Sequence, residues 1–448
     1  MGLGEQSHPE SVRSTANYQK PTSGELRVST PLTDTIKLPF SHSSRIFRYS
    51  PSGKSSKIRA TAYYFYGGQS CLRQSIPASK LLQHFGRERC PRTSRCHMAD
   101  VQKLVRLINS SAPMRICDNG GWTDTWFAQY GSVFNVAVSP AVEVQQRVFR
   151  DIGNSAPFTI NAQNYNQRYS IEQPKGSYGK HPLIEAVFDC MPVPKGQAVE
   201  LSIFSEAPAG CSTGTSASVT VAVIGAMDCL TSGRLNPYEV AATAHKVETE
   251  LLHGQCGIQD QIAAAFGGVN FIEISRYPQA SVNRIILPEA AERELEARLA
   301  LVYVGVGHGS SHIHEMVIRE LKDAGPNARK LERLRGTAAK SRDALYACDF
   351  VAFGQAMIEN TEAQRILHPD LVGTCHQQII DIADEHGALG WKVNGAGGEG
   401  GSVTLLSGPD RAARRSMLRT IESSNPNYRN IPIRLNPFGL CVWDSPLE

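Results

Sequence analysis

The sequence predicts an α+β protein, and three observations carry that expectation. Short runs rich in β-branched residues recur along the chain, among them 197–207 ("QAVELSIFSEA") and 402–406 ("SVTLL"), and such runs favour strands. Helical runs interleave with them; the clearest is 236–253, where Asn236 and Pro237 supply an N-cap and a first helical residue. The chain has 448 residues, 41% hydrophobic and 20% charged, which suits a globular protein with two or three domains.

Taken in order, the chain opens with 97 residues rich in Ser, Arg and Pro. They carry 15 Lys and Arg against five acids, about +10, which leaves about −6 for the rest of a chain whose net charge is +4. We expect 1–97 to be a disordered or non-native extension; a transit peptide, or a true start at Met98, are the alternatives. Beyond it, "VRLINSSAPMRI" reads as a strand and turn, and 132–149 as a strand interrupted at Pro140. "PAGCSTGTSASVTVAVIGAMDCL" (208–230) reads as a turn followed by a small-residue helix, "GVNFIEI" and "VNRIILP" as two strands, and 327–388 as mostly helix. "SVTLL" and "NIPIRLNPFGLCVW" close the chain.

Composition excludes some classes. A mildly acidic body does not suggest nucleic-acid binding, and no run of 18 apolar residues marks a membrane span. Eleven cysteines without a Cys-x-x-Cys pair fit reduced thiols in a cytoplasmic setting. A small-molecule partner, and a monomer or homodimer, are the expectation.

Five stretches could carry chemistry. "PAGCSTGTSAS", Pro208 to Ser218, joins a strand to a helix through small residues. Backbone N–H groups at such a helix start make an anion site; the plainer reading is a tight N-terminal turn. Asp260 follows a Gly turn and precedes an apolar run, which suits either a helix-capping carboxylate or a catalytic base. Arg115 precedes Gly121, Trp122, Thr123 and Asp124; a carboxylate and hydroxyl beside indoles suit a sugar, or a turn with core tryptophans. "NGAGGEGG" spells G-x-G-x-x-G at Gly395, Gly397 and Gly400. The strand "SVTLL" follows it where a dinucleotide-binding loop would open a helix, so that use is excluded. His308, His312 and His314 have metal-like spacing without carboxylate or Cys neighbours, which favours a loop and helix start over zinc.

Each signal is weak alone, but their order is specific. From about Leu107 onward the chain resembles the GHMP small-molecule kinases. "QDQIAAAFGGVNFIEI" and "GALGWKVNGAGGEGG" look most like the heptose 7-phosphate kinases, and "GGWTDT" like fucokinases. The resemblance implies two domains, 98–278 like ribosomal protein S5 domain 2 and 279–448 ferredoxin-like, with the site between them. It implies ATP phosphates on Pro208, Gly210, Ser212, Thr213, Gly214, Thr215, Ser216 and Ala217, approached by Gly395, Gly397 and Gly398. Mg²⁺ would sit on Ser216 and Glu248, with Glu250 as the other candidate. Asp260 would act as base with Arg115 beside it, and Thr123 and Asp124 would contact the sugar with Gly121 and Trp122. The activity implied is ATP-dependent phosphorylation of a sugar hydroxyl, the anomeric one, on a sugar of the heptose 7-phosphate or fucose type. A non-catalytic regulator of the same fold, or a kinase with a non-sugar alcohol acceptor, are the alternatives.

Overall fold

The computed structural model describes residues 103–150, 157–307, 310–321 and 325–447, together with the backbone of four short strands earlier in the chain. Those four, β1 (Thr35–Ile36), β2 (Ile46–Arg48), β3 (Arg59–Tyr63) and β4 (Arg73–Pro77), pair as an antiparallel sheet in sequence order within a unit that ends at His97. The rest of the expected extension lies outside the described residues.

Residues 98–448 form a second compact unit built around two sheets. The first sheet is organised by β5 (Leu104–Asn119) and β6 (Gly131–Arg150). The strand expected to break at Pro140 instead runs through it, because β5 slips register opposite: Ala112 pairs with Val142 and Met114 with Val138. A proline without an N–H to donate is thereby kept out of the ladder. A hairpin of β7 (Phe158–Ala162) and β8 (Gln167–Ile171) and the helix α1 (Pro182–Cys190) follow, elements with no strong signal in sequence. Next come β9 (Gln197–Ser205), α2 (Thr215–Asp228) and α3 (Pro237–Lys246), which runs on as one wider turn over Val247–Leu251. Asn236 caps α3 as expected, accepting from the N–H groups of Tyr238 and Glu239 while Glu239 accepts from its own N–H.

The short helix α4 (Gln259–Phe266) leads into β10 (Val269–Arg276) and β11 (Gln279–Ile285). The boundary expected at residue 278 falls between these two strands, which pair with each other. The second sheet contains β12 (Leu299–Tyr303), β13 (Gly390–Val393), β14 (Ser402–Leu406) and β15 (Arg429–Ile431) in the order β13-β14-β12-β15. Around it run α5 (Glu289–Arg298), α6 (Ser310–Leu321), α7 (Arg329–Tyr346), α8 (Phe350–Leu367), α9 (Thr374–Glu385) and α10 (Arg411–Ser424). The last strand, β16 (Cys441–Ser445), returns to pair with β5 in the first sheet.

The helix α2 is small and apolar on all sides, and it is buried along nearly its whole length against the first sheet. A Cβ at Gly225 would lie 2.7 Å from Leu440, so the small residues there allow close packing. This buried axle fixes the N-terminus of α2 where the site is built. No described helix is long and apolar enough to cross a membrane.

Candidate active site

The loop between β9 and α2 has alternate residues in the left-handed region: φ is +73° at Gly210, +61° at Ser212 and +69° at Gly214. Such alternation turns successive N–H groups toward one side and makes an anion-binding concavity. Gly214 is the N-cap of α2 and has no side chain to satisfy the helix start. Gly214, Thr215 and Ser216 line a cavity of about 450 Å³. The loop is held from both sheets: the Arg115 N–H donates to the Thr213 carbonyl at 3.0 Å, and the Ser402 hydroxyl to the Cys211 carbonyl at 2.6 Å. Gly210, Ser212 and Thr213 line the same cavity.

Asp260 meets this loop. A Cβ at Gly214 would come 3.2 Å from its carboxyl carbon, so glycine lets the helix start and the carboxylate approach. Asp260 sits in the first turn of α4 but does not cap it; its oxygens take a fork from Arg115, at 2.8 Å from Nε and 3.2 Å from the terminal nitrogen. The other terminal nitrogen of Arg115 donates to the Ser212 carbonyl. One guanidinium therefore ties the base candidate to the anion loop. Burial opposes the Arg115 charge, but Asp260, Asp118 and Asp124 outweigh it and raise its pKa.

The cap of α4 comes from Asp124, whose Oδ2 accepts from the Gln259 N–H at 3.0 Å. Gly257 is required beside it, since a Cβ there would fall 1.9 Å from that oxygen. Asp124 is buried and lines the cavity. Burial pushes its pKa up to about 6; the Gln259 hydrogen bond resists this, and the charge of Asp260 adds to it. Glu248 lines the cavity from the wide turn after α3 and accepts from Gln261 Nε2 at 2.7 Å. Burial raises its pKa to about 7, against the Gln261 bond and with the Asp260 charge.

Several expected contacts are placed differently. Thr123 is fully buried and its hydroxyl donates to the Gly120 carbonyl at 2.7 Å, so it builds the turn; Trp122, Asp124 and Thr125 line the cavity in its vicinity. Gly121 is packed against Asp118 in that turn. Glu250, the other metal candidate, faces solvent. Pro208 and Ala217 flank the anion loop without lining the cavity. In the glycine stretch, Gly395 and Ala396 line the cavity, whereas Gly397 packs on Leu371 and Gly398 on Ile313. The stretch joins the antiparallel strands β13 and β14, a hairpin rather than a strand-to-helix loop. His308, and the side chains of His312 and His314, lie outside the described residues.

Sequence reasoning missed Asp118 and Lys392. Both are buried, and Lys392 Nζ lies 3.1 Å from Asp118 Oδ1. Asp118 also accepts from the Gly395 N–H at 3.0 Å, which binds the glycine stretch to β5. Burial works against the Asp118 carboxylate, but Lys392 and Arg115 hold its pKa down. The pair joins the two sheets, and Arg115 acts on it electrostatically.

The donor set suits a hard cation sharing phosphate. Glu248 and Ser216 both line the cavity, and the buried Gln261 Oε1 has no hydrogen-bond partner among the described residues. No cluster of three or more His, Cys, Asp or Glu among the described residues could hold a metal, so a cation here would need ligand oxygens to complete its shell.

Known proteins share this architecture. Residues 181–268 match the GHMP kinases N terminal domain. The chain is 26% identical over 302 residues to the D-glycero-alpha-D-manno-heptose 7-phosphate kinase of Campylobacter jejuni, spanning 66% of this chain and 88% of that protein. It is 26% identical to the bifunctional fucokinase/GDP-fucose pyrophosphorylase of Arabidopsis thaliana, over 74% of this chain but only 32% of that longer protein. Against the mevalonate kinase of Thermococcus sibiricus it is 30% identical, over 56% of this chain and 71% of the relative. A solved D-glycero-D-manno-heptose 1-phosphate kinase from Bacteroides thetaiotaomicron has the same fold, with a TM-score of 0.59 and 20% identity over 75% of this chain and 98% of its own. With the cradle, the Arg115–Asp260 fork and the glycine hairpin in one cavity, the chain belongs to the GHMP kinases.

Proposed function

We propose that the protein transfers the γ-phosphoryl group of ATP to a sugar hydroxyl, the anomeric one. The observation that carries this is the Arg115–Asp260 fork set against the uncapped start of α2. Phosphoryl transfer is mostly positioning and charge stabilisation, and this geometry supports both. The N–H groups of 214–216 hold phosphate oxygens, and Asp260 accepts the proton of the attacking hydroxyl. Arg115 fixes the orientation of Asp260 and lends positive charge to the transferring group. Ser216 and Glu248 would hold Mg²⁺, which when bound offsets the charge of the triphosphate. Asp124 and Trp122 receive the sugar, a role supported by the likeness to heptose-phosphate kinase and fucokinase. Eight described cysteines carry free thiols, which supports a reducing compartment such as the cytoplasm.

The test is ADP release from ATP and Mg²⁺ with a panel of sugars and sugar phosphates. Turnover by the native chain, and a fall of about 10²- to 10⁴-fold in kcat for Asp260→Asn, are expected. A panel without turnover, or an Asp260→Asn variant as fast as the native chain, sinks the proposal.

A further inference from the structure

We infer that the acceptor is an uncharged sugar rather than a sugar phosphate or an alcohol bearing a carboxylate. The inference rests on the transfer reading above and narrows it to a substrate class. Four carboxylates line the cavity, Asp118, Asp124, Glu248 and Asp260, against one described lysine or arginine, Arg115. That guanidinium is already committed, to both oxygens of Asp260 and to the Ser212 carbonyl. Lys392 is ion-paired to Asp118 and is itself buried. Glu248 is taken by the cation that accompanies ATP. Asp124 is left, buried at 2% exposure and hydrogen-bonded by the Gln259 N–H, with no lysine or arginine bonded to it among the described residues.

An acceptor phosphate would therefore add a dianion beside Asp124 and the ATP phosphates, with no uncommitted cation among the described lining residues. Like charges in a partly desolvated site repel strongly.

Hydrogen-bond polarity points the same way. Asp124 and Asp260 both line the cavity, and their carboxylates offer hydrogen-bond acceptors. Sugar hydroxyls donate to such groups, whereas phosphate and carboxylate oxygens only accept. A site built for hydroxyl donors rejects an anionic analogue because its own acceptors are then left unpaired.

The experiment pairs each neutral sugar with its terminal phosphate ester: mannose, galactose and D-glycero-D-manno-heptose against the 6- or 7-phosphates. Turnover is read as ADP release, and binding by calorimetry with a non-hydrolysable ATP analogue and Mg²⁺. We expect kcat/KM, or affinity where turnover is absent, to favour the neutral member by about 100-fold. Asp124→Asn, which keeps an oxygen for the Gln259 N–H, should narrow that ratio about tenfold. Binding of a neutral sugar without ADP release would sink the transfer reading and leave this inference standing. Equal or better use of an ester, an unchanged ratio in Asp124→Asn, or no binding by any neutral sugar overturns it.

Discussion

Glu248 should make stability and metal binding respond to pH in opposite directions. A glutamate titrates near 4.5 in the unfolded chain and near 7 in this fold, chiefly through burial. Between those values the folded state keeps a proton that the unfolded state has released. Its contribution to stability is therefore greatest below pH 4.5 and is lost as pH rises through 7. The shift corresponds to about 3 kcal/mol, which screening at the cavity wall trims to about 2 kcal/mol. Glu248→Gln removes the titration yet keeps an oxygen for Gln261. Urea unfolding of both proteins across this range should show the native chain losing about 2 kcal/mol relative to the variant. Mg²⁺ with an ATP analogue needs the carboxylate, so its stabilisation of the native chain should grow over the same range. Parallel stability curves for the two proteins would refute the placement of Glu248 in a desolvated wall.

Other consequences are direct. Lys392→Met strands the buried Asp118 carboxylate and should cost about 3–5 kcal/mol in urea unfolding, while the double change with Asp118→Asn should recover most of it. Gly397→Val places a Cβ 2.0 Å from the Leu371 carbonyl at a φ of +74°, so it should abolish nucleotide binding through collapse of the hairpin. Glu399→Gly loses only an exposed bond to Thr374, 3.2 Å long, and should change stability by less than about 0.5 kcal/mol; equal effects of the two substitutions on ATP affinity would contradict the placement. Glu250→Gln, at a solvent-facing position, should leave the Mg²⁺ dependence of turnover unaltered, in contrast to Glu248→Gln.

The residues that could be read from sequence are those whose role is local. Asn236 with Glu239 is a capping pair by spacing alone, and the glycines of 210–214 and 395–398 announce backbone that other residues avoid. Asp260 stood out by its position at a helix start, but its neighbours could not say whether it caps. The structure separates the two roles over a distance of 136 residues: Asp124 caps α4, and Asp260 is released to Arg115. A span that passes through Pro140 was equally hidden, because the compensating slip lies in the partner strand. Lys392 shows the limit most clearly. In "GWKV" it reads as the outward residue of a strand, and only pairing with Asp118, 274 positions away, makes its burial tolerable. That pair ties β13 to β5. Asp118 also accepts from the Gly395 N–H, and so the two motifs that were legible separately meet in one cavity through two residues that were not.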